Sequence, residues 1–134
     1  MRIVSRVPGL YAAVAFLLAR RVTIEGWSMA PALLPGDRIL FDRLAYVRSH
    51  PRRGDIVIAA HPLRPSLRLA KRITAVPGDT ISDGQTLAKG EYWLEGDNLD
   101  ASTDSRGFGL VTRRDLLGRA WLIYSPAERW QIIN

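Results

Sequence analysis

The chain has no cysteine. Disulfides and cysteine-ligated metals are therefore excluded as sources of stability, and the redox compartment stays open. Lysine is nearly missing too: of 19 basic residues only Lys71 and Lys89 are lysine, and the rest are arginine. Histidine occurs twice, as His50 and His61, each followed by proline in loop-like text. There is no low-complexity segment and no internal repeat. No apolar run is long enough for a comfortable membrane span. The 13 uncharged residues between Arg6 and Arg20, VPGLYAAVAFLLA, make a helix of about 20 Å, against a hydrocarbon core of about 30 Å. Pro8 suits its first turn. Residues 1–21 therefore read as a short apolar helix, either a membrane anchor or docked on the domain, or as a cleaved leader. Two arginines on each side give it no orientation.

What is present describes one small domain. The chain has 134 residues, 47% of them hydrophobic, which argues against disorder. A net charge of +6 suits anionic lipid or nucleic acid. No basic run is interleaved with aromatics, so membrane lipid is an expected contact and nucleic acid is not. From Arg21 onward the text breaks into short stretches rich in β-branched and aromatic residues: RVTIEG, DRILFDRL, DIVIAA, LRLAKRITAV, EYWLEG, GRAWLIYS and WQII. Four Gly-Asp pairs, at Gly36, Gly54, Gly78 and Gly96, punctuate them. Glycine supplies positive φ and aspartate bonds nearby backbone, so all four read as turns. The expected fold is mainly β, a barrel or sandwich over residues 22–134.

Lys71 is the first candidate functional residue. In LRLAKRITAV, Leu67, Leu69, Lys71 and Ile73 alternate with Arg68, Ala70, Arg72 and Thr74, so as a strand Lys71 shares the apolar face. Burial lowers a lysine pKa. A neutral lysine is a usable base, whereas arginine is not. The plainer alternative is a lysine that snorkels to water. The second candidate is Ser28 in GWSMAPALLPGD. It leaves a strand beside glycine, on constrained backbone that suits a nucleophile with N–H groups facing an oxyanion. The plainer alternative is a helix cap or turn, with Pro31 in the first turn. A serine needs a base. His61 would complete a Ser-His-Asp triad, but nothing fixes it near Ser28, and Lys71 is the better partner. The third stretch, EGDNLDASTDSRGFG, has three aspartates, but not at calcium-loop spacing. Asp104 and Arg106 can pair across a tight turn there, and Ser102 can orient a nearby amine.

These three stretches, in this order, resemble the nucleophile box, lysine box and third box of the type I signal peptidases, a family of Ser/Lys proteases. The likeness runs from about Val22 to Tyr124. It implies Ser28 as nucleophile, its N–H as part of the oxyanion hole, and Lys71 as general base. It implies Ser102 as the group orienting Lys71, and Met29 as the floor of the substrate site. Asp97, Asn98, Asp104 and Arg106 become structural supports. Some relatives carry a serine two residues before the nucleophile; here Gly26 stands there, without that donor. Ala32 replaces the usual threonine. Only about 16 residues, from Thr80 to Glu95, separate the second and third boxes, where larger relatives insert a β domain. This compactness resembles the branch of nickel-type superoxide dismutase maturation proteases. The implied activity is removal of a leader from a precursor protein at the plasma membrane, with no metal or cofactor, and a cytoplasmic location as the alternative. A self-cleaving repressor shares Gly-x-Ser-Met but lacks the third box. A basic β-barrel binding module, with Ser28 and Lys71 incidental, is the non-enzymatic rival.

Overall fold

The computed structural model describes residue 10 and residues 20–134. The expected N-terminal apolar helix lies outside the described residues. Among the described residues, eight strands follow one another: β1 (Arg20–Thr23), β2 (Arg38–Asp42), β3 (Ile56–His61), β4 (Arg64–Ala75), β5 (Glu91–Glu95), β6 (Val111–Thr112), β7 (Leu116–Ser125) and β8 (Gln131–Ile132). Two single-turn helices, α1 (Ala45–Arg48) and α2 (Ser105–Phe108), sit between them. No helix among the described residues is long and apolar enough to cross a membrane.

The strands form one antiparallel sheet in the order β1-β2-β7-β3-β4-β5-β6, with β8 added on β7. All seven stretches expected as strands are strands. The barrel or sandwich is realised as this single continuous sheet. The short β6 has no periodic signal, and β4 starts earlier than expected, at Arg64.

Burial explains the order. β3 is apolar on both faces and lies between β4 and β7. Val57 and Ala59 enter one core with Ile73, Tyr92, Leu94 and Leu116. Ile56 enters a second core with Ile24, Met29, Leu33, Ile39 and Ile123. Alternate residues of a strand point to opposite faces, so the sheet is covered on both sides. Towards its C-terminal end β4 alternates as its sequence implies, with Lys71, Ile73 and Ala75 buried.

Three Gly-Asp turns share one wiring. Gly36, Gly54 and Gly78 have φ of 92°, 93° and 93°, a region that disfavours residues with a Cβ. The aspartate N–H donates to the carbonyl three residues back, at Leu34, Arg52 and Val76. Its carboxylate accepts the N–H of that same residue, at 2.8, 3.1 and 3.0 Å. The fourth pair, Gly96-Asp97, is different. Gly96 is not in the positive-φ region, which corrects its reading as a turn glycine.

Candidate active site

The nucleophile segment is a closed loop. Mutual bonds at its base, Ile24 N–H to Asp37 O (2.8 Å) and Gly36 N–H to Ile24 O (2.9 Å), bring its ends together. Within it, Ala30 N–H donates to Trp27 O and Leu33 N–H to Met29 O. These are turns rather than a helix, so Ser28 caps no helix. Met29 and Leu33, 1% and 0% exposed, plug the loop into the second core. Trp27 on the other side is 60% exposed. Ser28 is thus held at the border between core and solvent. Gly26, at φ 73°, takes the left-handed backbone needed where β1's chain turns into the loop.

Lys71 stands on β4 and is only 3% exposed. Its Nζ donates to Ser102 Oγ at 3.1 Å, and Ser102 Oγ donates to Asp104 Oδ2 at 2.6 Å. Burial pushes the Lys71 amine below its ordinary pKa. The Asp104 carboxylate partly offsets this, and the Arg106 guanidinium adds to it. Burial alone would raise the Asp104 carboxyl, but bonds from Arg106, Ser102 and the Gly96 and Arg106 N–H groups hold it at about 2. Asp104 is therefore a fixed acceptor, and it commits the only hydroxyl proton of Ser102. The oxygen of Ser102 is left to accept from Lys71.

The third segment also grips the nucleophile loop. Asn98 N–H donates to Ser28 O at 2.8 Å, and Asn98 Nδ2 donates to Trp27 O at 3.1 Å. Asp97 binds Arg72 through both oxygens at 2.8 Å, and Arg72 also donates to Gly54 O. The two residues beside Lys71 and Asn98 are thereby locked together. Arg106 closes its turn on Asp104 and reaches Leu99 O.

Ser28 and Lys71 line one cleft of about 300 Å³, with Met29, Leu67, Leu69 and Trp27 among its other walls. Among the described residues no hydrogen bond joins the Ser28 and Lys71 side chains. His61 lies elsewhere, its ring 4.7 Å from that of Phe108 and its Nδ1 accepting from Leu63 N–H. It is not part of the cleft. Among the described residues, no acidic and histidine side chains cluster as metal ligands.

Two elements of the site were missed by sequence reasoning. A Cβ on Gly96 would collide with the Ser102 hydroxyl and would lie 2.6 Å from Ser28 O. Its signal was available: this Gly-Asp follows a strand without a preceding proline, unlike the pairs at Gly36 and Gly78. The other is Asp37, 1% exposed, which takes a two-pronged bond from Arg129 at 2.7 and 2.8 Å. Burial would raise its pKa, but the Arg129 and Leu34 bonds lower it overall. Nothing local in the sequence connects residues so far apart.

The sequence matches the signal peptidase family, peptidase S26, over residues 2–83 and 81–125. It is 37% identical over 116 residues to mitochondrial inner membrane protease subunit 1 of Xenopus tropicalis, covering 80% of this chain and 70% of that one. It is 38% identical over 132 residues to mitochondrial inner membrane protease subunit 2 of Mus musculus, covering 89% and 75%. A probable signal peptidase I-1 of a Synechocystis species is 27% identical over 148 residues, covering 86% and 76%.

Proposed function

Since the chain belongs to the signal peptidase family, peptidase S26, we propose that it is a serine endopeptidase working through a Ser28–Lys71 dyad. The observation that carries this reading is a loop serine sharing one cleft with a buried lysine whose amine is held by Ser102. Desolvation favours the neutral amine. With one N–H given to Ser102, the lone pair is free to face the cleft. Lys71 takes the Ser28 proton, and the alkoxide attacks the scissile carbonyl. The Ser28 N–H stabilises the oxyanion, without help from a hydroxyl at Gly26. Protonated Lys71 then gives its proton to the leaving amine. Neutral again, it activates the water that hydrolyses the acyl-enzyme. Bonds between nucleophile and base are often long in a free enzyme and tighten when substrate is bound.

The substrate in this reading is a precursor protein with an N-terminal leader, with small residues before the cut, over the floor set by Met29. The narrower assignment, a nickel superoxide dismutase precursor, rests on the compactness of the chain. A general signal peptidase of secreted proteins fits the relatives equally well. We place the enzyme at a membrane, in keeping with the apolar N-terminal stretch and with relatives named for the mitochondrial inner membrane. The plasma membrane is the specific proposal.

The test uses wild type, Ser28→Ala and Lys71→Arg in mild detergent, with a secretory precursor and a leader-bearing nickel superoxide dismutase precursor. Mass spectrometry identifies the products. Wild type should cut one precursor, and each variant should be slower by at least about a hundredfold. Equal cutting by all three would refute the dyad. Absence of cutting by wild type would favour the binding module.

A further inference from the structure

The two walls of the cleft carry opposite, uncommitted charges. One wall runs from Val22 of β1 into the nucleophile loop, and the other is Leu67–Lys71 of β4. Four antiparallel pairings, β1 with β2, β2 with β7, β7 with β3 and β3 with β4, separate these strands in the sheet. An even number of reversals makes β1 and β4 run the same way. Glu25 stands three residues before Ser28, and Arg68 three before Lys71. Both line the cleft. Arg68 therefore lies about 10 Å along β4 from Lys71, and Glu25 lies on the facing wall, where the chain leaves β1 for the Ser28 loop.

Both side chains are exposed. Among the described residues, neither forms an ion pair or a side-chain hydrogen bond. This sets them apart from the charges nearer the dyad: Arg72 is held by Asp97, and Arg106 by Asp104. Among the described residues, β1 pairs only with β2, and β5 pairs with β4 only at Arg72, Ile73 and Ala75. The segment of β4 around Arg68 thus has β3 on one side and the cleft on the other. An extended peptide lying in the cleft rises by about 3.3 Å per residue, in step with β4. Its successive side chains alternate between the two faces, so neighbouring positions can meet different wall charges.

Resting on the peptidase reading, we infer that Arg68 and Glu25 are specificity residues that read the charge of the bound peptide about three residues from the cut bond. Arg68 draws in an acidic side chain, and Glu25 a basic one. Each contact is exposed to water, so each changes the rate about twofold to fivefold, and salt weakens it.

The test takes an alanine-rich fluorogenic peptide with Asp, Ala or Lys placed at each position in turn. Cleavage is measured at low and high salt for wild type, Arg68→Glu, Arg68→Gln and Glu25→Lys. Affinity for the same peptides is measured in a Ser28→Ala background, with and without Arg68→Gln. Wild type should separate Asp from Lys peptides at positions about three residues from the cut. Arg68→Glu should invert the acidic preference, Arg68→Gln should flatten it, and Glu25→Lys should reverse the basic one. The Arg68→Gln arm decides the matter should charge reversal prevent folding. Profiles unchanged by these variants, or changed only beside the cut bond, would overturn the inference while leaving the peptidase reading intact. Charge-selective binding to Ser28→Ala that Arg68→Gln abolishes, without cleavage by wild type, would sustain the groove and overturn the peptidase. Neither binding nor cleavage would overturn both.

Discussion

Lys71 is an amine whose surroundings work against its charge. Burial is the main cause, the Arg106 guanidinium adds to it, and only the Asp104 carboxylate opposes them. The sign of the pH effect follows. In the proposed dyad, the amine below its pKa is protonated and cannot take the Ser28 proton; above it the base is ready. The rate, kcat/KM, should therefore rise with pH to a plateau, with its midpoint below 10.5, the ordinary value. A stopped-time assay across the pH range checks this. Arg106→Gln removes a charge that pushes the amine down, so its midpoint should move to higher pH. A rate that does not vary from mildly acidic to alkaline conditions would remove Lys71 from the role of base. The burial of this lysine was legible because the alternation from Leu69 to Ala75 places it inward. The polarity of its partner was not. Ser102 faces Lys71 as an acceptor because its O–H is donated to Asp104, and that ordering is a property of the folded loop.

At the scale of elements, the proposed catalysis depends on keeping three segments in register: the Ser28 loop, β4 and the stretch after β5. At Gly96 the first and third leave no room for a Cβ. The carbonyl of Ser28 and the hydroxyl of Ser102 both pack against its Cα side. A methyl group there has to displace one of them. Gly96→Ala should lower kcat/KM by about a hundredfold, the usual effect of misplacing a catalytic group by around 1 Å. Overpacking should also cost about 1–3 kcal/mol of stability. Gly107→Ala is the control, since nothing lies within 4 Å of a Cβ at that position; it should change the melting temperature and the rate little. Kinetics and thermal denaturation of the two variants decide it. Strands were well marked in the sequence, because β-branched runs between Gly-Asp turns carry their own periodicity. The short β6 (Val111–Thr112) was not marked, because two residues show no period. Gly96 was misjudged because its dipeptide is shared with three true turns, and only the packing around it tells a turn glycine from one that makes room.

Across the whole molecule, the cleft stays in place because distant parts of the chain are tied to it. Arg129, beyond β7, reaches back 92 residues to Asp37 at the base of the nucleophile loop. Asp37 is 1% exposed, so its carboxylate has little water to fall back on when Arg129 is lost. The ion pair between Arg53 and Asp79 offers a comparison within the same protein. It is a single contact, Arg53 Nε to Asp79 Oδ2 at 3.0 Å, and its arginine side chain is 66% exposed. Water substitutes for such a partner at little cost, and the expected loss for Arg53→Ala is under about 1 kcal/mol. Arg129→Ala leaves a buried acceptor partly unsatisfied and should cost about 1–3 kcal/mol. The two variants also differ in where the loss is felt. The Asp37 carboxylate holds Leu34 N–H and closes the turn at Gly36, and that turn meets Ile24 where the loop begins. Arg129→Ala should therefore lower activity at temperatures where the protein is still folded, whereas Arg53→Ala should not. Urea denaturation paired with initial rates separates these outcomes. Equal stability losses in the two variants would mean that the Asp37–Arg129 pair is as dispensable as a surface contact, and that the loop is held by its apolar plug, Met29 and Leu33, alone.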